Sequence, residues 1–275
     1  MSKFKRFLAL QDKGPILKLQ TKAFVRRMGN PKLSFFNPGW FGYRRRLRKL
    51  PVYPAPYDVG VYKQLLLRLQ QADVKLGRLS DSQDEQGFVV LRHDLDYAKC
   101  VENVSLLTKI ESSLNLRSSL MVRVDNRDYD PKIAREIVTR HYDEGFEVGV
   151  HSTAYMLDGP FQGLLDEFQF FEKIFGIKPQ VYNFHGGFDQ HLAARIKLGL
   201  MSDEVLTSYP DILETDSISG FYAYRFSDCM KKNGARVIGA DFEDPPVEAI
   251  KRSEVPVLLL THPCYWAESN HRGDK

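Results

Sequence analysis

The stretch VVLRHDLDYAKC, residues 89–100, decides how this chain is read. An apolar run of strand type, Val89 to Leu91, passes directly into Arg92, His93, Asp94 and Asp96, so a buried strand ends in charge. Asp94 and Asp96 are two apart, and on extended backbone both side chains point to one side while Leu95 points to the other. One carboxylate can then hold a metal ion while its neighbour takes a proton. An Asp pair after a strand also serves as a turn or helix cap, so the weight rests on what the rest of the chain brings to the same face.

Strand-like and helix-like runs alternate around this point. FVVLR is followed by a helix around CVENVSLLTKIES, then RSSLMVRV, the helix PKIAREIVTRHYDEG, FEVGVH, the helix GLLDEFQFFEKIF, QVYNF, the helix DQHLAARIKLG, RVIGAD and VPVLLLTH. Upstream, YKQLLLRLQQA reads as an amphipathic helix with Leu65, Leu66 and Leu69 inward. Alternation with short links predicts an α/β fold with a parallel sheet, closed or partly closed as a barrel.

The polar residues follow a rule within that layout. Asp94, Asp96, His151, His185, Asp241 and His262 each sit at the carboxyl end of a predicted strand. In parallel barrels and open α/β sheets those ends meet on one face, where active sites are built. Taken singly, His151 before Ser152 and His185 before Gly186 and Gly187 have plain readings as a cap and a turn. His262 after the apolar VPVLLLT needs a polar partner. Together they form a mixed nitrogen and oxygen set suited to zinc or another first-row divalent ion. Such an ion lowers the pKa of bound water from about 15.7 towards about 7, a route to hydrolysis at neutral pH.

Composition bounds the class. The 275 residues are 43% hydrophobic and 27% charged, ordinary for one globular domain with an extension, and no run approaches the length of a membrane span. Three scattered cysteines, Cys100, Cys229 and Cys264, fit reduced thiols in a cytoplasmic protein better than a disulfide framework. The net charge of +4 hides an asymmetry: residues 1–50 hold 14 Lys and Arg against Asp12, leaving 25 basic and 34 acidic side chains elsewhere. The proline-punctuated PVYPAPY marks a boundary near residue 56, dividing a basic aromatic extension, 1–56, from an α/β domain, 57–275. Within the extension, residues 35–50 join Trp40, Phe41 and Tyr43 to Arg44, Arg45, Arg46, Arg48 and Lys49. That is the composition of a membrane-surface contact, with wrapping of the barrel as the plainer alternative and no support for nucleic acid.

At these residues the chain resembles the polysaccharide deacetylase superfamily, the NodB-homology carbohydrate esterases, and within it the divergent branch whose first motif reads RHDxD. LRHDLDY resembles the first motif, EVGVHS the second, NFHGG occupies the place of the third and LLLTHPCYW resembles the last, in order from about Val89 to Trp266. The resemblance implies a distorted TIM-like (β/α) barrel and metal-dependent removal of an N- or O-acyl group, an acetyl above all, from a sugar. It implies Asp94 as general base steadied by Arg92, Asp96 and His151 as metal ligands, and His262 as general acid towards the leaving amine.

The second motif ordinarily reads H-S/T-x-x-H, whereas HSTAY puts Tyr155 where the second histidine belongs. Tyrosine, with pKa about 10, is a poor divalent-metal ligand at neutral pH. The expectation is that His185 completes the set, around zinc, with cobalt, nickel or manganese as alternatives. A metal-free, degenerate glycan-binding or scaffold protein is the second reading, and a hydrolase of a non-sugar C–N bond on the same fold is the third. Asp241 is expected to orient His262, and Tyr97, Asp216 and Trp266 to face the sugar. An acylated sugar, glycolipid or polysaccharide is the expected substrate, in cell-surface polysaccharide or glycolipid synthesis. The expected location is cytoplasmic, with peripheral contact at the inner membrane face.

Overall fold

Asp58 caps the first long helix: its side chain accepts from the Gly60 amide at 2.6 Å, and the helix it starts buries Tyr62, Leu65, Leu66 and Leu69. The computed structural model describes residues 52–82, 86–154, 160–186, 213–214, 225–232, 235–253 and 256–268. The basic aromatic run, Tyr155, Asp216 and the predicted helix DQHLAARIKLG lie outside the described residues. In chain order the elements are β1 (Val52–Pro54), β2 (Tyr57–Asp58), α1 (Val59–Gln71), β3 (Lys75–Gly77), β4 (Phe88–Leu95), α2 (Ala98–Ser113), β5 (Ser119–Val122) and α3 (Arg135–Asp143). There follow β6 (Glu147–Ser152), α4 (Pro160–Phe175), β7 (Val181–Phe184), β8 (Leu213–Glu214), β9 (Arg225–Ser227), β10 (Met230–Lys232), β11 (Ala235–Gly239), α5 (Val247–Lys251), β12 (Val257–Thr261) and β13 (Trp266–Ala267).

The main sheet runs β8-β7-β6-β5-β4-β12-β9, with every neighbouring pair parallel. β4 is its centre. β12 covers one edge, while β3 and β5 share the other, at residues 88–90 and 92–95 respectively. All eight residues of β4 are buried, as a strand covered on both faces must be. Val89 and Leu91 pack outward with Leu107, Phe226, Val257 and Leu259. Val90 packs inward with Met121, Val181, Leu258 and Leu260. The fold is therefore the α/β class that the alternation predicts, and among the described residues no pairing joins β8 to β9.

One predicted strand belongs elsewhere. RVIGAD reads as part of the parallel alternation, but Ala235–Gly239 lies in a separate antiparallel sheet, β1-β11-β10. The reason is local: Met230–Lys232 ends just before Ala235, close enough for a hairpin, whereas a parallel neighbour needs a crossover of a dozen or more residues. β1, from the proline-punctuated stretch on the N-terminal side of residue 56, covers the other edge of β11. Short β9 takes the place beside β12 instead.

Gly149 sets the approach of β6 and β7. A Cβ there would stand 1.9 Å from the Val181 carbonyl oxygen, so no side chain fits two residues before His151.

Candidate metal centre

The strand parity that buries Val90 also turns Arg92 and Asp94 inward. The Arg92 guanidinium donates to both oxygens of Asp94, Nε to Oδ1 and Nη2 to Oδ2, each at 2.8 Å, in the bidentate geometry that planar Arg favours. Both side chains are buried. Burial opposes the charge on Asp94, but the Arg92 guanidinium and then His151 hold its carboxyl below the ordinary range. His93, of opposite parity, leaves the site: its ring bonds Thr261 at 2.5 Å and Glu111 at 2.8 Å on the helix-facing side.

Three donor atoms converge where β4, β6 and β7 end. Asp96 Oδ1 lies 3.1 Å from His151 Nε2 and 3.3 Å from His185 Nδ1, and the two ring nitrogens lie 3.0 Å apart. A tetrahedral ion with ligand distances of about 2.0–2.1 Å has edges of about 3.3–3.4 Å, so this triangle is close to one face of such a site. The buried Asp96 Oδ1 has no aligned hydrogen-bond donor, which fits an oxygen reserved for an ion. Electrostatics agree. Burial opposes a charged ring at His151, yet Asp94 and Asp96 push its pKa up, so the cage favours a positive charge. Among the described residues this is the one group of acid and histidine side chains whose donor atoms close to ligand spacing.

Asn183, two residues before His185, stands behind His151. Its amide lies 2.6 Å from the ring's Nδ1, and with its oxygen turned towards Arg92 it accepts from that guanidinium at 2.7 and 3.1 Å. One amide thus ties a ligand histidine to the arginine that holds Asp94, the kind of outer contact that orients metal ligands.

His262 faces the cage from β12, its Nε2 3.5 Å from Asp96 Oδ2. Its Nδ1 bonds Asp228 Oδ1 at 2.7 Å, its backbone N–H donates to Oδ2 at 2.5 Å, and the Trp266 indole donates to Oδ2 at 2.8 Å. Asp228 is wholly buried, and Tyr57 donates to its carbonyl oxygen at 2.8 Å. Burial disfavours a charged His262 ring, but Asp228, with Asp94 and Asp96 beyond, pushes its pKa up to about 10. With a proton on Nδ1 bound to Asp228, Nε2 presents the acidic N–H to the site.

Two expected roles need correction. The orienting contact assigned to Asp241 is made by Asp228, because Asp241 follows a strand of the antiparallel sheet while Asp228 follows β9 in the main one. Trp266 is 1% exposed, so it cannot stack on a sugar; it serves Asp228 instead. Tyr97 is 41% exposed beside Asp96, at the rim. Asp228 and Asn183 are the polar residues that sequence reasoning missed. The available signal for Asp228 was its position after the short run RFS.

No protein-family model and no curated protein sequence matches the chain. Among solved structures, the catalytic domain of a peptidoglycan N-acetylglucosamine deacetylase from Eubacterium rectale is similar at 14% identity and TM-score 0.44, over 65% of this chain and 77% of that one. A CE4 family pseudoenzyme from Bacillus anthracis is similar at 12% identity and TM-score 0.35, over 66% of this chain and 56% of that one. A second peptidoglycan N-acetylglucosamine deacetylase, solved with a hydroxamate-type benzamide, is similar at 10% identity and TM-score 0.33, over 70% and 78%.

Proposed function

We propose that the chain is a metal-dependent hydrolase that removes an acyl group, an acetyl above all, from the nitrogen or oxygen of a sugar in cell-surface polysaccharide or glycolipid synthesis. The observation that carries this reading is the triangle of Asp96, His151 and His185 donor atoms, 3.0 to 3.3 Å on a side, flanked by a carboxylate held by Arg92 and a histidine held by Asp228. Asp96, His151 and His185 would hold a divalent ion there, zinc in our reading, which would supply Lewis acidity for the hydrolysis.

The chain's own groups divide the proton work. Asp94 stands outside the ligand triangle, with its oxygens placed by Arg92, and it accepts the proton of the attacking water. His262, charged at neutral pH through Asp228, delivers a proton from Nε2 to the departing nitrogen or oxygen. Tyr97 at the rim is our candidate contact for the sugar. We place the reaction in the cytoplasm, with residues 35–50 as the contact to anionic lipid; no helix among the described residues is long and apolar enough to cross a membrane.

The test is acetate release from N-acetylated hexosamine oligosaccharides by zinc-loaded protein. Asp94→Asn should keep stoichiometric metal and lose about 10²–10⁴ in kcat. A protein that binds the sugar without holding metal or releasing acetate would overturn the proposal in favour of the degenerate, sugar-binding alternative.

A further inference from the structure

Two thiols meet beside the site without belonging to it. Cys100 lies in the first turn of α2, just after the Asp94 and Asp96 loop, with its N–H on the Tyr97 carbonyl at 2.8 Å. Cys264 lies in the turn Pro263–Tyr265 that follows His262. That turn is docked on α2 by Asn103, one helical turn beyond Cys100 on the same face, whose amide donates to Pro263 O at 3.4 Å and Trp266 O at 3.0 Å. The docking straddles Cys264 and presses it against the cluster that contains Cys100. Cys264 thus packs on the side of α2 that carries Cys100. Cys100 is buried, Cys264 is partly exposed, and both are reduced.

From this juxtaposition we infer that Cys100 and Cys264 form a peroxide-reactive dithiol that closes to a disulfide between α2 and the His262 turn. The neighbouring Cys264 holds the Cys100 thiol below its ordinary range, while Cys100 and burial together push the Cys264 thiol far up. Cys264 is the sulfur a small oxidant can reach. As the Cys264 sulfur attacks one oxygen of hydrogen peroxide its proton passes to the Cys100 thiolate, the O–O bond breaks, and Cys264 sulfenic acid and hydroxide result. Cys100 then attacks the Cys264 sulfur, the S–O bond breaks, and water leaves, so that two thiols and one peroxide yield one disulfide and two waters. A dithiol reductant reverses the product by exchange. The third cysteine takes no part: Cys229 Sγ bonds Ser227 Oγ at 2.9 Å on the strand side of Asp228.

The test uses the full-length protein and intact-mass spectrometry with peptide mapping. Brief treatment with hydrogen peroxide should remove two hydrogen masses, link the Cys100 and Cys264 peptides, and be undone by dithiothreitol. In Cys100→Ser the resolving sulfur is absent, so Cys264 should accumulate as a sulfenic acid that dimedone traps, then over-oxidise. In Cys264→Ser neither product should form. A link through Cys229, a parent protein that gains oxygen without losing hydrogen, or a Cys100→Ser variant that traps no dimedone would overturn the inference. Because the readout is mass, a failure of the hydrolase reading leaves this test unaffected.

Discussion

Replacing Asp228 by Asn tests whether His262 is an acid or only a wall of the site. Three donors converge on this carboxylate: the His262 backbone N–H and the Trp266 indole on Oδ2, at 2.5 and 2.8 Å, and His262 Nδ1 on Oδ1 at 2.7 Å. An amide has one oxygen, and the setting that satisfies most donors keeps it at the Oδ2 position. The NH2 group then faces His262 Nδ1, which must accept, and the ring is held neutral with its proton on Nε2. The fold loses one charge-assisted bond, worth about 1.5–3 kcal/mol, and regains a neutral one worth about 1 kcal/mol. Stability should therefore fall by only about 0.5–2 kcal/mol. The reaction loses its charged general acid, worth about 10²–10⁴ in rate, or about 2.7–5.5 kcal/mol on the barrier. Function should thus suffer more than fold. The assay is acetate release at neutral pH beside metal content and a thermal melt of the same preparation. The ligand triangle excludes Asp228, so metal should stay stoichiometric while kcat collapses. A variant with full metal and kcat within about threefold of the parent, about 0.7 kcal/mol, would refute the acid role of His262.

Gly149→Ala should unfold the β6 and β7 pair or force it apart, since the added carbon would meet a backbone oxygen at 1.9 Å that cannot rotate away. We expect a loss of about 3 kcal/mol or more in a denaturant titration, at or beyond the usual overpacking cost, with metal affinity falling too because His151 follows on the same strand. Glu147 makes stability pH-dependent. Burial pushes its carboxyl up despite bonds from Ser119 at 2.5 Å and from the Leu79 and Ser80 amides at 3.2 Å. A raised folded pKa means that the native state prefers the protonated form. This contribution is therefore complete below the unfolded value of 4.5 and is lost as pH rises through the folded value. The urea midpoint of the parent should decline with pH above 4.5, and that of Glu147→Gln should decline less; equal slopes would show that Glu147 titrates normally.

Much of the site follows from periodicity. A two-residue spacing on a strand determines that Arg92, Asp94 and Asp96 share a side and that His93 and Leu95 do not, and the strand-end positions of His151, His185 and His262 are readable from the apolar runs before them. Asp228 was illegible for the opposite reason. It follows a three-residue strand with no apolar run, and only pairing with β12 brings that strand into the main sheet. Asp241 shows the converse: a clear strand signal precedes it, but that strand pairs with a hairpin partner two residues upstream and lies outside the main sheet. Trp266 has the composition of a sugar platform, and its depth beneath Asp228 comes from packing against Tyr57, Tyr62 and Phe242.

The sequence by itself determined which side chains a strand would turn the same way and which types of chemistry they bring, because alternation is a property of a single extended backbone. Only the tertiary structure decided which strands are neighbours. That choice set the 3.0 Å approach of His151 and His185, gave His262 its carboxylate and packed Cys264 against the cluster that contains Cys100, 164 residues away in the chain. Neighbourhood depends on loop lengths, hairpins and burial summed over the whole chain, and no local window of residues contains that sum.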